Sequence, residues 1–273
     1  MKALSTVILT LILSAAATGA SADQADQPAA TGTGNAELVS DYVFRGLTQS
    51  WGDAALQGGG DLSTKSGFAA GFWGSTISKN IYPGALMELD LYGDYGASSN
   101  DDWSCTVGLH SYLYPRGNLD QATPPLASRG FNTLEANAAL TWKWLTVTYN
   151  RSLTDYFGID TEEGYTGNSK GTVYLQLDAS VPVFDGWTLG LHAAHTHIPT
   201  QLAAPLTSGA TQPSYADYGA SLKWQFATHW SGTLGVTRAT DTAFYGSTSS
   251  FNDSSDTKNV GGTRGYVMVQ TTF

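Results

Sequence analysis

The fold is decided by the last nine residues of the chain, Gly265-Tyr266-Val267-Met268-Val269-Gln270-Thr271-Thr272-Phe273. They form an alternating stretch that closes on an aromatic residue, which is the pattern of a β-strand with two different faces. At the other end, Met1 to Ala22 has the basic start, short apolar run and small-residue cleavage site of a secretory signal. In an exported bacterial chain, these two features together predict an outer-membrane β-barrel with Phe273 at the membrane interface. We expect the barrel-assembly machinery to recognise this terminal residue.

The sequence divides into three parts. Residues 1–22 are predicted to be a signal peptide that is removed before Asp23. Residues 23–35 are rich in Ala, Gln, Gly and Thr without apolar periodicity, and we expect a flexible periplasmic lead-in. Residues 36–273 remain for one body, a length that suits a single all-β domain.

Composition excludes several classes of protein. Beyond the signal, the sequence has no run of 18 apolar residues, so no transmembrane helix is predicted. Only 13% of residues are charged, and the net charge of −10 disfavours nucleic-acid binding, which needs a basic surface. The single Cys105 allows no internal disulfide, and we expect it to be a small packing residue.

Period-two alternation recurs through the body in twelve candidate strands, each close to the length that a tilted transmembrane strand needs. They are Ala36–Gln49, Ala54–Ser63, Gly67–Ile77, Ala85–Tyr95, Asp102–Tyr114, Phe131–Thr141, Trp144–Leu153, Thr172–Val181, Trp187–Thr196, Tyr215–Phe226, Trp230–Ala239 and Arg264–Phe273. The predicted fold is a closed antiparallel transmembrane β-barrel of about 12 strands.

Connections between these strands alternate between short and long. The short ones are 64–66, 96–101, 142–143, 182–186 and 227–229, and the longest are 115–130, 154–171, 197–214 and 240–263. Outer-membrane barrels have short periplasmic turns and long extracellular loops, and an even strand count puts both ends in the periplasm. Six of the eight tryptophans lie at or beside predicted short turns, which predicts an aromatic girdle at the inner interface.

The stretch Ser40-Asp41-Tyr42-Val43-Phe44-Arg45-Gly46-Leu47-Thr48-Gln49-Ser50 resembles the TorF-type porin family of Gram-negative outer membranes. Members open the mature chain with a similar S-x-Y-V-F-R-G-x-S/T-Q stretch, and the terminal strand with its Phe also fits. Between these two ends, the similarity extends only to length and strand rhythm. The resemblance implies an outer-membrane barrel with a pore, and it implies neither catalytic residues nor a substrate.

Polar residues on the predicted lumen face would set the selectivity of such a pore. The inward set is Asp41, Arg45, Glu88, Asp90, Asp94, Glu135, Asn137, Asp178, His192, Asp217, Lys223 and Arg264. Its acidic excess predicts a preference for cations or neutral polar solutes, the alternative being that these groups merely pair with one another. Asp41 and Arg45 lie four apart on one predicted strand and share a face. Arg45 is expected to pair with Asp41 or with a partner across the lumen, and such a structural ion pair is favoured over a solute contact.

Other polar residues have less specific patterns. Arg151 and Arg238 fall on the outward face, where they would contact lipopolysaccharide phosphates or lie in outer loops. His195 and His197 share a face without a companion Cys or carboxylate, so rim histidines are favoured over a metal site. The acidic stretch 160–164 lacks calcium-loop spacing, and the sequence has neither a nucleophile motif nor a phosphate-binding motif, so no cofactor and no enzyme activity is expected.

The predicted function is therefore passive diffusion of small hydrophilic solutes through a polar, net acidic lumen that the loop 115–130 narrows from above. The alternative is a non-conducting barrel whose long outer loops bind or adhere. Membrane lipid and lipopolysaccharide are expected partners, and a homo-oligomer is left open because nothing specifies a contact face.

Overall fold

The computed structural model describes residues 30–99 and 102–273 of the chain. The predicted signal peptide, and residues 23–29 of the predicted lead-in, lie outside the described residues. All twelve predicted strands lie within them.

Twelve strands build the main body. They are β1 (Ala30–Val39), β2 (Ala55–Thr64), β3 (Phe68–Thr76), β4 (Met87–Ser98), β5 (Trp103–Leu113), β6 (Thr133–Trp142), β7 (Leu145–Ser152), β8 (Val173–Phe184), β9 (Trp187–His197), β10 (Tyr215–Ala227), β11 (Trp230–Ala239) and β12 (Arg264–Thr272). The predicted strand count is confirmed, and β11 has the predicted bounds.

The strands form one closed antiparallel barrel in which each strand pairs with its neighbours in sequence. Closure comes from β1, which pairs with β2 on one side and with β12 on the other, from Asn35 opposite Thr272 to Val39 opposite Met268. Closure leaves no exposed row of unpaired backbone groups, which is what a sheet surrounded by hydrocarbon requires.

The first strand differs from its prediction at both ends. It begins at Ala30, inside the predicted lead-in, and ends at Val39 instead of Gln49. Residues 30–35 alternate Gly with small polar residues, so they have no apolar face that a sequence pattern could detect. Residues beyond Val39 leave the barrel wall and form a separate hairpin of Val43–Phe44 with Leu47–Thr48.

Side chains alternate between the two faces of the barrel wall as predicted. Outward positions carry large apolar side chains that are exposed around the whole circumference, among them Leu38, Leu56, Phe72, Leu91, Val107, Leu140, Leu177, Leu191, Leu222, Leu234 and Val267. Inward positions carry polar side chains that are mostly buried, among them Glu37, Gln57, Glu88, Glu135, Gln176, Asp217 and Gln270. Apolar outside and polar inside is the reverse of a water-soluble sheet protein and fits a barrel in lipid.

Aromatic residues collect at the short-turn end. Trp103 lies opposite Trp142, with ring centroids 6.1 Å apart, and Trp187 stacks on Trp224 at 5.5 Å. Phe273 is 75% exposed at the same end. Among the described residues, none of the helices has the length and apolar character needed to cross a bilayer.

The long connections at the other end carry short elements and pack together. These are 3₁₀ turns at Leu119–Gln121 and Thr161–Glu163, a helical turn at Thr242–Tyr245 and a two-residue ladder of Thr248–Ser249 with Thr257–Lys258. Tyr82 stacks on Tyr114 with centroids 4.2 Å apart, and Phe131 packs edge-on against Tyr82. These rings are buried, so the outer end of the barrel has an aromatic core of its own.

Candidate functional site

The connection between β1 and β2 folds into the barrel instead of standing above it. We call its residues Val43–Thr48 the lumen hairpin. Its two-residue turn, Arg45–Gly46, has positive φ at both positions (49° and 76°), the geometry of the tightest hairpin turns. Gln49 N–H donates to the Tyr42 carbonyl at 2.7 Å and closes the base.

The hairpin tip packs tightly against the inner face of the barrel wall at β10 and β11. A Cβ at Gly46 would lie 2.6 Å from Cβ of Asp217 on β10 and 3.3 Å from Cβ of Ala239 on β11. Two reasons therefore require glycine at this position: its φ is positive, and a Cβ would have no room. β11 and β10 are two and three strands from β1 in the closed barrel, and the contact that crosses the lumen is made by Arg45, whose partner Glu135 lies on β6, five strands from β1.

Arg45 fixes the hairpin to the wall. Its guanidinium donates from Nη1 to Oε1 of Glu135 at 2.9 Å and from Nη2 to Oε2 at 2.6 Å, and Nη1 also donates to the Tyr156 hydroxyl at 3.1 Å. Its Cζ lies 4.2 Å from the ring centroid of Tyr174. Arg45 is 2% exposed and Glu135 1%, so this is a buried bidentate ion pair with one aromatic face against it.

Asp41 holds the base of the hairpin. Its Oδ1 accepts from the hydroxyls of Thr48 and Ser50, and its Oδ2 accepts from Nη1 of Arg264 at 3.1 Å. Of the two alternatives predicted for Arg45, the structure shows pairing across the lumen, with Glu135 in place of Asp41. The two residues lie in a turn and a hairpin outside β1, and each has a different partner.

Three of the predicted inward residues meet on the wall beside the hairpin tip. Nδ1 of His192 lies 2.6 Å from Oδ1 of Asp178, and Nε2 lies 2.8 Å from Oδ1 of Asp217. The Tyr174 hydroxyl adds a contact of 3.1 Å to the same Nε2. The imidazole thus bridges two carboxylates, an arrangement that ties β8, β9 and β10 together.

A further polar group lies where β10 and β12 face β1. Lys223 Nζ donates to Oε1 of Gln270 at 3.0 Å, and Gln270 Nε2 donates to Oε1 of Glu37 at 2.9 Å. Glu37 is 3% exposed, and its second oxygen has no hydrogen-bond partner among the described residues. Sequence reasoning did not single out Glu37, although it lies within the predicted first strand and on the same predicted face as Asp41 and Arg45.

Beneath the hairpin lies a cavity of about 150 Å³ that is partly open to solvent. Its lining includes hairpin residues, the inward faces of strands on both sides of the barrel, and the carboxylates of Glu37, Asp41, Asp90 and Asp217. Inward side chains are buried at the outer end of the barrel and become exposed toward the short turns, as from Gln57 to Ser63 along β2. The lumen is therefore filled at its outer end and open at its periplasmic end.

The predicted pore-lining residues occupy two parts of the structure. Asp41 and Arg45 lie in the connection between β1 and β2 that folds into the barrel. The others lie on inward positions of their strands: Glu88, Asp90, Asp94, Glu135, Asn137, Asp178, His192, Asp217, Lys223 and Arg264. That they line a conducting path stays a prediction. Loop 115–130 bonds to neighbouring outer loops, as Asn118 to Pro83 and Thr123 to Phe251, and its Leu119 is buried in the cluster at the outer end. The cavity itself is bounded by the lumen hairpin, so narrowing by this loop stays a prediction.

The remaining singled-out residues lie on the outside. Arg151 and Arg238 are exposed, within β7 and β11 and near their outer ends, so they are not loop residues. His195 and His197 are exposed on the outward face of β9, and Cys105 is exposed on β5. Cys105 therefore does not pack in a core as predicted. Within residues 30–99 and 102–273, no group of three or more His, Cys, Asp or Glu could hold a metal ion.

Comparison with solved structures shows the same architecture. The KdgM porin in complex with disordered oligogalacturonate superposes with a TM-score of 0.50 at 10% identity, over 89% of this chain and 99% of that one. The NanC porin does so with a TM-score of 0.51 at 10% identity, over 88% and 98%. At this identity the likeness shows the fold, a closed 12-stranded antiparallel barrel of the kind found in outer-membrane porins.

Sequence comparison is less informative about activity. No curated protein matches the chain. One family model matches residues 22–273, nearly the whole length. The chain belongs to this family, which is described as a bacterial protein of unknown function (Gcw_chp).

Proposed function

We propose that this protein is a porin-like channel of the Gram-negative outer membrane that admits small hydrophilic solutes by passive diffusion. One observation supports this above all: a closed barrel with an apolar outer belt encloses a cavity of about 150 Å³ whose lining includes four carboxylates. A barrel of this size has a lumen between the filled eight-stranded barrels and the wide sixteen-stranded porins. We also propose that the protein is a porin of the TorF type. The proposed function includes no catalytic step.

The lumen hairpin is the constriction of the proposed channel. Solutes from the periplasmic end meet the open half first and then the hairpin, which crosses from β1 to Glu135 on β6. Because the hairpin is hydrogen-bonded to the wall through side chains and not through the strand ladder, it can move without opening the barrel. Passage then depends on how far the hairpin leaves the far wall.

Charge in the lumen favours cations. Acidic groups outnumber basic ones on the inner face, and the basic side chains already have partners: Arg45 with Glu135, Arg264 with Asp41, His192 with Asp178 and Asp217, and Lys223 with Gln270. Asp90 and Glu88 each have a buried oxygen without a hydrogen-bond partner among the described residues. Negative potential in a narrow, low-dielectric passage attracts cations and repels anions.

The test is conductance of the purified, processed chain in a planar lipid bilayer under a potassium chloride gradient. We expect steady ohmic steps and a reversal potential on the cation side. Anion preference would contradict the charge argument while leaving the channel intact. A silent bilayer containing correctly folded protein would contradict the channel itself.

A second candidate function is a non-conducting barrel that binds ligands or surfaces through its outer loops. The observation in its favour is the filled outer end, where the hairpin and the aromatic core Tyr82, Tyr114 and Phe131 bury one another. Silent bilayers together with loop-dependent adhesion of whole cells would favour this function over the first.

Membrane partners follow from the location. We propose that outer-membrane lipid surrounds the apolar belt, that lipopolysaccharide phosphate meets Arg151 and Arg238, and that the barrel-assembly machinery inserts the chain through its last strand. Both arginines are exposed near the outer rim, where a long cationic side chain reaches phosphate. Arg151→Gln with Arg238→Gln is expected to reduce lipopolysaccharide co-purification, and unchanged lipid content would contradict the contact. Whether the barrel forms a homo-oligomer is decided by cross-linking in native membranes.

A further inference from the structure

One wall of the cavity carries a carboxylate between two aromatic side chains. In the strand register, Asp90 on β4 lies directly opposite Trp73 on β3 and directly opposite Tyr112 on β5. All three are inward positions that line the cavity. Directly opposed residues on neighbouring strands are within contact distance of each other, so the carboxylate has an aromatic ring on either side.

Further aromatic side chains surround the same place. One pleat toward the periplasm, Tyr92 and His110 are opposed on β4 and β5, with ring centroids 5.2 Å apart. On the outer side, Tyr42 at the base of the lumen hairpin packs edge-on against Trp73 at 5.5 Å. We call Tyr42, Trp73, Asp90, Tyr92, His110 and Tyr112 the aromatic box.

Two polar atoms of the aromatic box have no hydrogen-bond partner among the described residues. Oδ1 of Asp90 and Nε1 of Trp73 are both buried, and neither has a hydrogen-bond partner among the described residues. Buried polar atoms are normally paired, so an orphaned oxygen on a residue that lines the cavity indicates a missing partner. The nearest arginine, Arg45 of the lumen hairpin, is bidentate to Glu135 and does not supply it.

The geometry points to a binding site for an organic cation of the alkylammonium class in the aromatic box. This inference rests on the proposed channel and names the class of solute that its lumen retains. An ammonium group gains from ring faces and from a carboxylate together, and the apolar surface of the rings accepts its alkyl substituents. An inorganic cation gains less, since the rings cannot replace its hydration shell, and an anion is repelled by Asp90.

Tyr42 gives the hairpin a part in this site. It covers Trp73 from the outer side, and the strand that follows it carries Phe44, whose ring packs edge-on against Tyr112 at 5.6 Å. The roof of the aromatic box therefore belongs to the lumen hairpin, while its walls belong to β3, β4 and β5. A bound cation is covered by the same segment that constricts the lumen.

Calorimetric titration of the processed chain in detergent micelles tests the site. The probes are choline and its neutral carbon isostere, in which carbon replaces the quaternary nitrogen. We expect choline to bind at least about tenfold more tightly than the isostere, because only the charged form gains from Asp90 and the ring faces. Equal affinities for the two probes would overturn the inference on the unmodified protein, whatever the variants do.

Two substitutions of equal charge locate the site. Asp90→Asn is expected to weaken choline binding about tenfold, whereas Asp178→Asn, which removes a lumen carboxylate hydrogen-bonded on the opposite wall, changes it less than about twofold. Trp73→Leu is expected to weaken choline more than the isostere. If Asp90→Asn and Asp178→Asn had the same effect, the aromatic box would not be the site.

Potassium flux into liposomes made from the same preparations separates this inference from the proposed function. Flux without selective choline binding would overturn the aromatic box and leave the channel standing. Selective choline binding without flux would support the aromatic box as a ligand site and overturn the channel. The heat-dependent electrophoretic shift of a folded barrel confirms that each variant is folded before it is titrated.

Discussion

The outer and periplasmic halves of the lumen are built from the same twelve strands and yet differ in content. Near the outer end, inward side chains such as Glu37 and Gln57 are buried under the lumen hairpin and loops. Near the short turns, inward Thr31, Ser63 and Ser98 are exposed. Strand alternation makes both halves polar inside, so the strands do not cause the difference. Connections between strands decide whether a polar lumen is filled or open.

Removal of the lumen hairpin should have the largest effect on the difference between the filled outer half and the open periplasmic half. Because Tyr42 and Gln49 are already hydrogen-bonded at its base, Gly-Gly in place of residues 43–48 closes the chain without strain on β1 or β2. We expect single-channel conductance to rise at least about threefold, since the segment that crosses the lumen is gone. The measurement is current through planar bilayers.

A matched control shortens an outer connection that does not enter the barrel. Residues 205–210, between β9 and β10, are mostly exposed, and the Leu202 N–H to Thr211 carbonyl bond holds the ends of that tip together. Removing the tip is expected to leave conductance near that of the unmodified protein. If the two deletions behave alike, the hairpin is not the constriction.

The barrel could be predicted from the sequence alone, but the segment that folds into its lumen could not. Strands such as β11 were found with correct bounds because apolar and polar side chains alternate and because the faces lie in lipid and in water. The lumen hairpin was taken for the end of β1, since Val43, Phe44 and Leu47 continue the apolar rhythm. The one available signal was Gly46 at the centre of a symmetric apolar stretch, which fits a two-residue turn as well as a strand interior.

The partners of the lumen charges could not be predicted either. Inward orientation follows from a period of two and needs only local sequence, so Glu88, Glu135 and Asp217 were placed on the correct face. Pairing depends on which strands face each other across the barrel. Arg45 meets Glu135, which is 90 residues away, and no local pattern encodes that distance.

The second prediction concerns the ion pair that holds the outer half together. Glu135→Gln leaves the buried Arg45 guanidinium without its carboxylate, and loss of one partner of a buried pair costs about 3–5 kcal/mol. We expect a loss of that size in the free energy of unfolding, measured by urea titration of the barrel in lipid vesicles. The Asp102–Lys143 pair at a short turn, 3.6 Å apart and half exposed, is the control. Asp102→Asn is expected to cost less than about 1 kcal/mol, and similar losses in the two variants would contradict the role of Arg45.

The third prediction compares the addition of one methyl group at the hairpin tip with the same addition in an outer loop. Gly46→Ala and Gly164→Ala both place a side chain at positive φ, which costs about 1 kcal/mol in each case. A Cβ at Gly164 has no atom within 4 Å, whereas one at Gly46 meets Asp217 at 2.6 Å. We therefore expect Gly46→Ala to be less stable by about a further 1–3 kcal/mol and to raise conductance as the tip leaves the wall. Equal urea midpoints for the two variants would show that the tip does not touch β10.

The smallest effect is expected in the outer loops, where a single carboxyl reports on local packing. Burial raises the pKa of Glu163 from 4.5 to about 8, with Asp160 adding to the rise and Arg129 opposing it. Because the folded loop prefers the protonated acid, its stabilisation is full below about pH 4.5 and is lost as the pH rises through about 8. Protection of the 154–171 amides against hydrogen exchange, corrected for intrinsic rates, should fall a few-fold between pH 6 and pH 9. Glu163→Gln is expected to remove that fall while leaving the Arg129 ion pairs to Asp155 and Asp160 in place. If protection still fell with pH in the variant, another group would be responsible for the titration. Protonated Glu163 would then not stabilise the outer loops.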